Sequence, residues 1–200
     1  MISPKTKKSI SGLKKIKGSC RGVSIKTPLD YCSKKFKEKE LLVVEKEMKK
    51  FSVPGRAEIK TLRDYPVFYM TITHLIIKDV FDFDHDDIKE MGYNLPQVSF
   101  IVKTLTNYLV STERTFKEAP KYWKRHFTVG KLTPFKIDSK KKFMILRLEE
   151  FKTHPVDCSL FEGYFTRMVE YSVKSKKLNT KETKCAHRGD PYHEFLIEWE

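Results

Sequence analysis

The chain has 200 residues, 40% of them hydrophobic and 12% aromatic, enough for one domain with its own core. No run approaches the roughly eighteen apolar residues of a membrane-spanning helix, and Met1-Ile2-Ser3-Pro4-Lys5 lacks the apolar stretch of a secretory signal. The net charge of +14 is uneven, with residues 1–40 carrying +9 and the rest +5, and four irregularly spaced cysteines suggest reduced thiols in a cytoplasm rather than a disulfide framework.

In chain order, residues 1–37 are rich in Lys, Ser and Gly. Ile10, Leu13 and Ile16 mark at most one amphipathic turn, and Gly12, Gly18 and Gly22 argue against a long helix. This segment is expected to be a basic, largely disordered arm, ordered at most near Pro28–Cys32, with residues 38–200 forming a single α+β domain. Residues 38–51 place Leu41, Leu42, Val44 and Met48 on one helical face, and Val53-Pro54-Gly55 ends the helix. Residues 57–65 are ambiguous. Pro66–Phe81 is apolar and opens on a proline suited to a first helical turn, so a helix is favoured there despite many β-branched residues.

Asp82–Asp87 is an acidic break before a short helical piece ending at Met91-Gly92. Asp82, Asp84 and Asp86 open like a calcium loop, but Asp87 stands where Gly is needed and Tyr93 where Glu is needed, so that reading fails. Val98, Ile101, Val102, Leu105 and Leu109 recur at helical spacing, and a further helix is predicted over Thr112–Phe127, restarted or kinked at Pro120. After Gly130 the period becomes two: "KLTPFKID" and "KFMILRLEEF" flank Ser139-Lys140-Lys141 as a β-hairpin. Leu160–Ser175 reads as a helix. "LNTKETKCAH" and "YHEFLIEWE" then flank Gly189-Asp190-Pro191 as a second hairpin. The fold class is therefore α+β: N-terminal helices, then hairpin, helix, hairpin, forming an antiparallel sheet packed on helices.

Cys185 and His193 bracket the last turn and can converge on one ion, for which zinc readily takes Cys, His and carboxylate ligands. Cys158, just before the expected helix, is a credible further ligand. Glu182 lies three residues before Cys185, so strict alternation puts the two on opposite faces and a bulge would be needed. His187, sharing a face with Cys185 on a regular strand, and His154 compete for the same place. A complete set of four protein ligands would be structural; three would leave an open position for catalysis. The bland alternative is that these side chains are ordinary core packing.

The pattern of Cys185, Gly189, His193 and the apolar strand Phe195–Trp199 resembles the C-terminal signature of the vinyl-4-reductase domain. That domain belongs with the haem-nitric-oxide-binding-like superfamily and the sensor domains of bacterial phenol-responsive activators. The likeness covers about residues 95–200. In those sensors zinc is held by an upstream Cys, a Glu, a Cys three positions later and a Cys eight further on. The resemblance thus implies Cys158, Glu182, Cys185 and His193 as ligands, with His replacing the last Cys. It implies a zinc-stabilised, non-enzymatic, homodimeric module for a small apolar or aromatic ligand. Haem is not expected, because the Tyr-x-Ser-x-Arg pattern used by the superfamily's haem sensors is absent.

"APKYWKRHF" places Tyr122, Trp123 and His126 beside the predicted helix at 96–111, and with Phe100 and Tyr108 they are candidate pocket residues. The same aromatics among Lys121, Lys124 and Arg125 could instead stack on bases. The alternative function is accordingly nucleic-acid binding through Lys14, Lys15, Lys17 and Arg21, and the same arm could meet an anionic membrane.

Overall fold

A computed structural model describes residues 2–98, 111–173, 175 and 177–200. Its N-terminal part is helical: α1 (Pro4–Leu13), α2 (Val23–Lys35), α3 (Glu38–Lys49), α4 (Val67–Val80), α5 (His85–Val98) and α6 (Thr112–His126). Two short antiparallel strands, β1 (Ser19–Arg21) and β2 (Asp64–Pro66), clip this layer together. A hairpin β3 (Lys131–Asp138) and β4 (Phe143–Glu149) follows, then α7 (Pro155–Val173), then β5 (Leu178–Lys184) and β6 (His193–Trp199). The four long strands form one antiparallel sheet in the order β3-β4-β6-β5. The protein is thus α+β, with an antiparallel sheet packed on helices. No helix among the described residues is long and apolar enough to cross a membrane.

The first 37 residues differ most from expectation. Residues 2–37 are folded, and they supply core. Ser3 caps α1 by accepting from the Thr6 amide at 3.2 Å, and Pro4 fits the first turn. Ile10, Ile25, Leu29 and Cys32 are fully buried. Helix α1 packs on α4, and α2 packs on α4 and α5. The apolar spacing was there but diluted by lysines on the outer faces, and the glycines serve the junctions. Gly18 adopts φ +104° at the entry to β1, and Gly22 sits against the Lys60 carbonyl.

Other elements follow the predicted pattern with shifted ends. Helix α5 runs through Gly92 and Pro96 to Val98, and α7 starts at Pro155 rather than Leu160. The predicted helix at 96–111 lies outside the described residues beyond Val98. On β4, Met144, Leu146 and Leu148 alternate into the core, opposite Ile197, Phe195 and His193 of β6.

Helices α5 and α7 approach most closely through two glycines. A Cβ on Gly163 would stand 1.8 Å from the Lys89 carbonyl oxygen, and one on Gly92 would stand 2.0 Å from that of Leu160. Gly12, on the outside of α1, meets nothing within 4 Å. Helices α1 and α7 therefore respond oppositely to the same change. Gly12→Ala should raise stability by up to about 1 kcal/mol through helix propensity. Gly163→Ala should lower it by about 1–3 kcal/mol despite the same propensity gain, because backbone must move aside. Urea unfolding of both variants checks this.

Candidate functional site

Two features meet at the N-terminal turn of α7. The first is a cavity of about 160 Å³ between the helices and the inner face of the sheet. Its wall comes from α2, α4, α5, α6, α7, β3 and β4 and is largely apolar, with Met70, Leu95, Phe116, Met144, Phe161 and Phe165 among the lining side chains. Tyr122, Trp123 and His126 all line it. Trp123 is held by its Nε1–H donating to the Val129 carbonyl at 3.0 Å and by stacking on Phe127 at 4.3 Å between ring centroids. Burial, then the charges of Arg21 and Arg125, hold the His126 imidazole below its usual pKa. Phe100 and Tyr108 lie outside the described residues.

One part of the cavity wall is polar in a way sequence reasoning missed. His74 of α4 is 1% exposed and lines the cavity. Its Nδ1 lies 2.7 Å from Asp157 Oδ1. Asp157, also buried, accepts from the Thr71 hydroxyl at 2.7 Å and from the Thr153 hydroxyl. Burial works against the charge on Asp157, but the His74 hydrogen bond and charge, with the two hydroxyls, hold its carboxyl below the ordinary range. The available signal was a lone His inside the apolar run of α4, with a Thr three residues before it on the same face.

The second feature is the cluster of Cys158, Glu182, Cys185 and His193, whose potential ligand atoms all lie within 4.8 Å of one another. Cys158 comes from inside the first turn of α7, not from before it. Glu182 reaches the cluster because β5 breaks register between Glu182 and Lys184, the bulge needed to bring together side chains that strict alternation would put on opposite faces. Cys185 follows the end of β5 and opens a short 3-10 turn, Ala186–Arg188, so it does not share a regular strand face with His187. The Asp190 carboxylate accepts from the Cys185 amide at 2.7 Å, and Gly189 closes the turn at φ +99°. His193 enters from β6, with the Phe151 carbonyl 2.8 Å from Nε2 and Glu182 Oε1 2.8 Å from Nδ1.

The two sulfurs are 3.9 Å apart, well beyond the roughly 2.05 Å of a disulfide, and both thiols are free. A carbonyl only accepts, so His193 Nε2 carries the proton and donates to Phe151. Nδ1 then faces Glu182 and lies 3.6 Å from Cys158 Sγ. Burial, followed by the Glu182 and Cys185 charges, pushes the Cys158 thiol well above its usual pKa. Burial also opposes the charge on Glu182, while hydrogen bonds from His193, Cys185 and Cys158 bring it below the usual carboxylate range. His154 and His187 stand outside the group. His154 Nδ1 accepts from the Val156 amide at 3.1 Å, and the His187 ring is 5.3 Å from that of His193.

The cations of the alternative reading divide. Lys14, Lys15 and Lys17 are exposed. Arg21 is engaged within the fold, donating to the Leu62 and Arg125 carbonyls and pairing with Asp64 at 3.3 Å.

Among known proteins no family model matches the chain, and no curated protein sequence does. Solved structures do. An H-NOX protein from S. oneidensis in an Fe(II)NO ligation state superposes with a TM-score of 0.66 at 12% identity, covering 90% of this chain and 99% of that one. An Fe(II) unliganded H-NOX protein from K. algicida gives 0.64 at 11% identity, covering 90% and 96%. An oxygen-binding H-NOX domain related to soluble guanylate cyclases gives 0.59 at 12% identity, covering 90% and 92%. This chain has the H-NOX fold.

The H-NOX structures correct the expected cofactor. Where their descriptions name a metal state it is Fe(II), and one concerns heme distortion in the family. Zinc is therefore withdrawn as this chain's cofactor; four convergent side chains do not specify it. Haem in turn does not fit the described cavity. A volume of about 160 Å³ matches the roughly 150 Å³ of a cavity that takes a single benzene ring. Sites for drug-sized ligands run to about 300–1,000 Å³. Among the described lining residues there is also no Lys or Arg to meet the propionates. Haemin added to the folded protein should accordingly give no saturable one-to-one Soret band. A stoichiometric band lost on His126→Ala would show the cavity to be larger in solution.

Proposed function

We propose that this chain is a small-molecule-binding domain of the sensor type, taking an apolar ligand about one aromatic ring in size. The observation that carries the reading is the cavity between helices and sheet, whose described lining presents a largely apolar and aromatic surface. The fold agrees with it: the H-NOX structures include complexes with nitric oxide and oxygen, so the scaffold houses small ligands in those proteins. The chain binds its ligand and does not transform it. Its finer kinship is with the vinyl-4-reductase branch, on the strength of Cys158, Glu182, Cys185 and His193 at the spacing described above.

Ethylbenzene is a suitable probe. At a hundredfold excess over its Kd it should stabilise the protein by about 2.7 kcal/mol. Ala119, on the α6 wall of the cavity, is small, and Ala119→Phe should fill the space and abolish the gain. A melting temperature that does not respond to ethylbenzene at its solubility limit would overturn the reading.

The four-residue cluster is proposed as a metal-ligating clasp that ties the terminal hairpin to α7, the identity of the ion being open. A ligating His commonly donates its other ring N–H to a backbone carbonyl, as His193 does to Phe151. Cobalt(II), titrated into reduced protein, should produce thiolate-to-cobalt charge-transfer absorption that saturates at one equivalent. Cys185→Ser should weaken that absorption and lower the melting temperature of the loaded protein. Absence of the band would leave the four side chains as core packing.

A further inference from the structure

Helix α3 has two unlike faces. Leu41, Val44 and Met48 are buried, and the helix packs on α2 and α4. On the opposite side Lys39, Leu42, Val43, Lys46 and, at the helix end, Lys50 recur at the spacing of one helical stripe, and all are exposed. Leu42 is 57% and Val43 39% exposed; with Leu62 and Phe135 they are the exposed large hydrophobic side chains among the described residues. Lys39 stands one turn before this pair and Lys46 one turn after it. The acids of the helix are held off the stripe. Glu40 accepts from the Lys37 amide at 3.1 Å and Glu45 from the Arg56 amide at 2.9 Å, while Glu47 is buried and meets Lys50 at 2.6 Å. Only Glu38 of the four is exposed. Helix α1 and the residues after it add charge of one sign: Lys5, Lys7, Lys8, Lys14 and Lys15 are exposed, and residues 1–29 contain no Asp or Glu. Helices α1 and α3 both pack on α4 and start at the same end of it. The Ser3 amide donates to the Asp79 carboxylate, and the Phe36 ring stacks on Phe81 at 4.0 Å between centroids.

We propose that the outer face of α3 docks this domain on an anionic phospholipid bilayer, with Leu42 and Val43 entering the headgroup region and Lys39 and Lys46 reaching lipid phosphates. The site does not depend on what fills the cavity. An aliphatic pair between long cations suits a helix lying in the interface, where apolar side chains enter the boundary and lysine stems let their ammonium groups stay in water. Charge complementarity selects an anionic surface, toward which each basic residue adds attraction. A protein partner fits less well. The stripe has none of the aromatic or Arg anchors of a protein interface, and lysines are flexible point charges without the fixed fork of Arg. A nucleic acid would give the aliphatic pair no role, since the stripe carries no aromatic ring to stack on bases.

Cosedimentation of the full chain with vesicles tests the docking. The protein should bind phosphatidylcholine vesicles containing about 30% phosphatidylserine, bind pure phosphatidylcholine roughly tenfold more weakly or worse, and be released by salt. Leu42→Gln with Val43→Gln, and separately Lys39→Glu with Lys46→Glu, should each weaken binding to the anionic vesicles by roughly tenfold or more. Their melting temperatures should hardly change, because all four side chains are exposed. The four native cysteines are buried, so a fluorophore can be placed selectively on Val43→Cys. Its emission should shift to the blue on anionic vesicles, and that of a fluorophore on Lys181→Cys of β5 should not. Absence of binding to anionic vesicles, undiminished binding by either double variant, or an unshifted label at position 43 overturns the proposal. Tighter binding to duplex DNA than to the vesicles overturns it in favour of a nucleic-acid partner.

Discussion

The buried carboxylate of Asp157 is the interaction on which the two halves of this structure depend. It sits in the first turn of α7, where the helix dipole and free amides favour negative charge, yet it is almost wholly removed from water. Its compensation is drawn from elsewhere in the chain. Thr71 and His74 come from α4 in the helical layer, and Thr153 from the loop that leaves the sheet. Isolating such a charge costs several kcal/mol, so the helical layer and α7 cannot separate without exposing or orphaning it. The close glycine contact between α5 and α7 works in the same direction. Gly92 and Gly163 let two backbones approach until a single methyl would not fit.

From that turn, α7 serves both features of the site. Its next residue, Cys158, points into the four-residue cluster, and Leu160, Phe161 and Phe165 further along line the cavity. Phe151 joins the two from the other side. Its carbonyl accepts from His193, and its ring meets Trp123 edge-on at 5.2 Å and Phe161 at 5.7 Å. Trp123 and Phe161 are cavity walls. The backbone of one residue thus braces the cluster while its side chain braces the cavity. Packing this dense leaves little room for one feature to move without the other.

Legibility in the sequence followed how local the signal was. The hairpins, α3, α4 and α6 each carry their own periodicity and turn residues, so their type was readable and only their ends moved. The four cluster residues were nameable because three of them sit within twelve positions of chain around one turn. The bulge that admits Glu182 was a stated requirement, not something its neighbours announce. What was hidden is non-local. Ile10, Ile25 and Leu29 look stranded among lysines and glycines, and only α4 and α5, far along the chain, make them core. His74 and Asp157 are 83 residues apart, and neither is conspicuous without the other.

The same reasoning separates fold from occupant. A helical layer over a four-stranded antiparallel sheet, with α7 between the hairpins, leaves an internal space in this chain, and the H-NOX structures that share the fold are described in Fe(II) states. Here Trp123, Phe127, Phe151 and Phe161 form a continuous ring-to-ring cluster beside that space. Each aromatic side chain takes up volume that a macrocycle would need, and none brings the positive charge that propionates require. What remains is a ring-sized apolar hole with one imidazole nitrogen unpartnered at its wall. The choice of occupant therefore belongs to the side chains of this chain and not to the scaffold it shares.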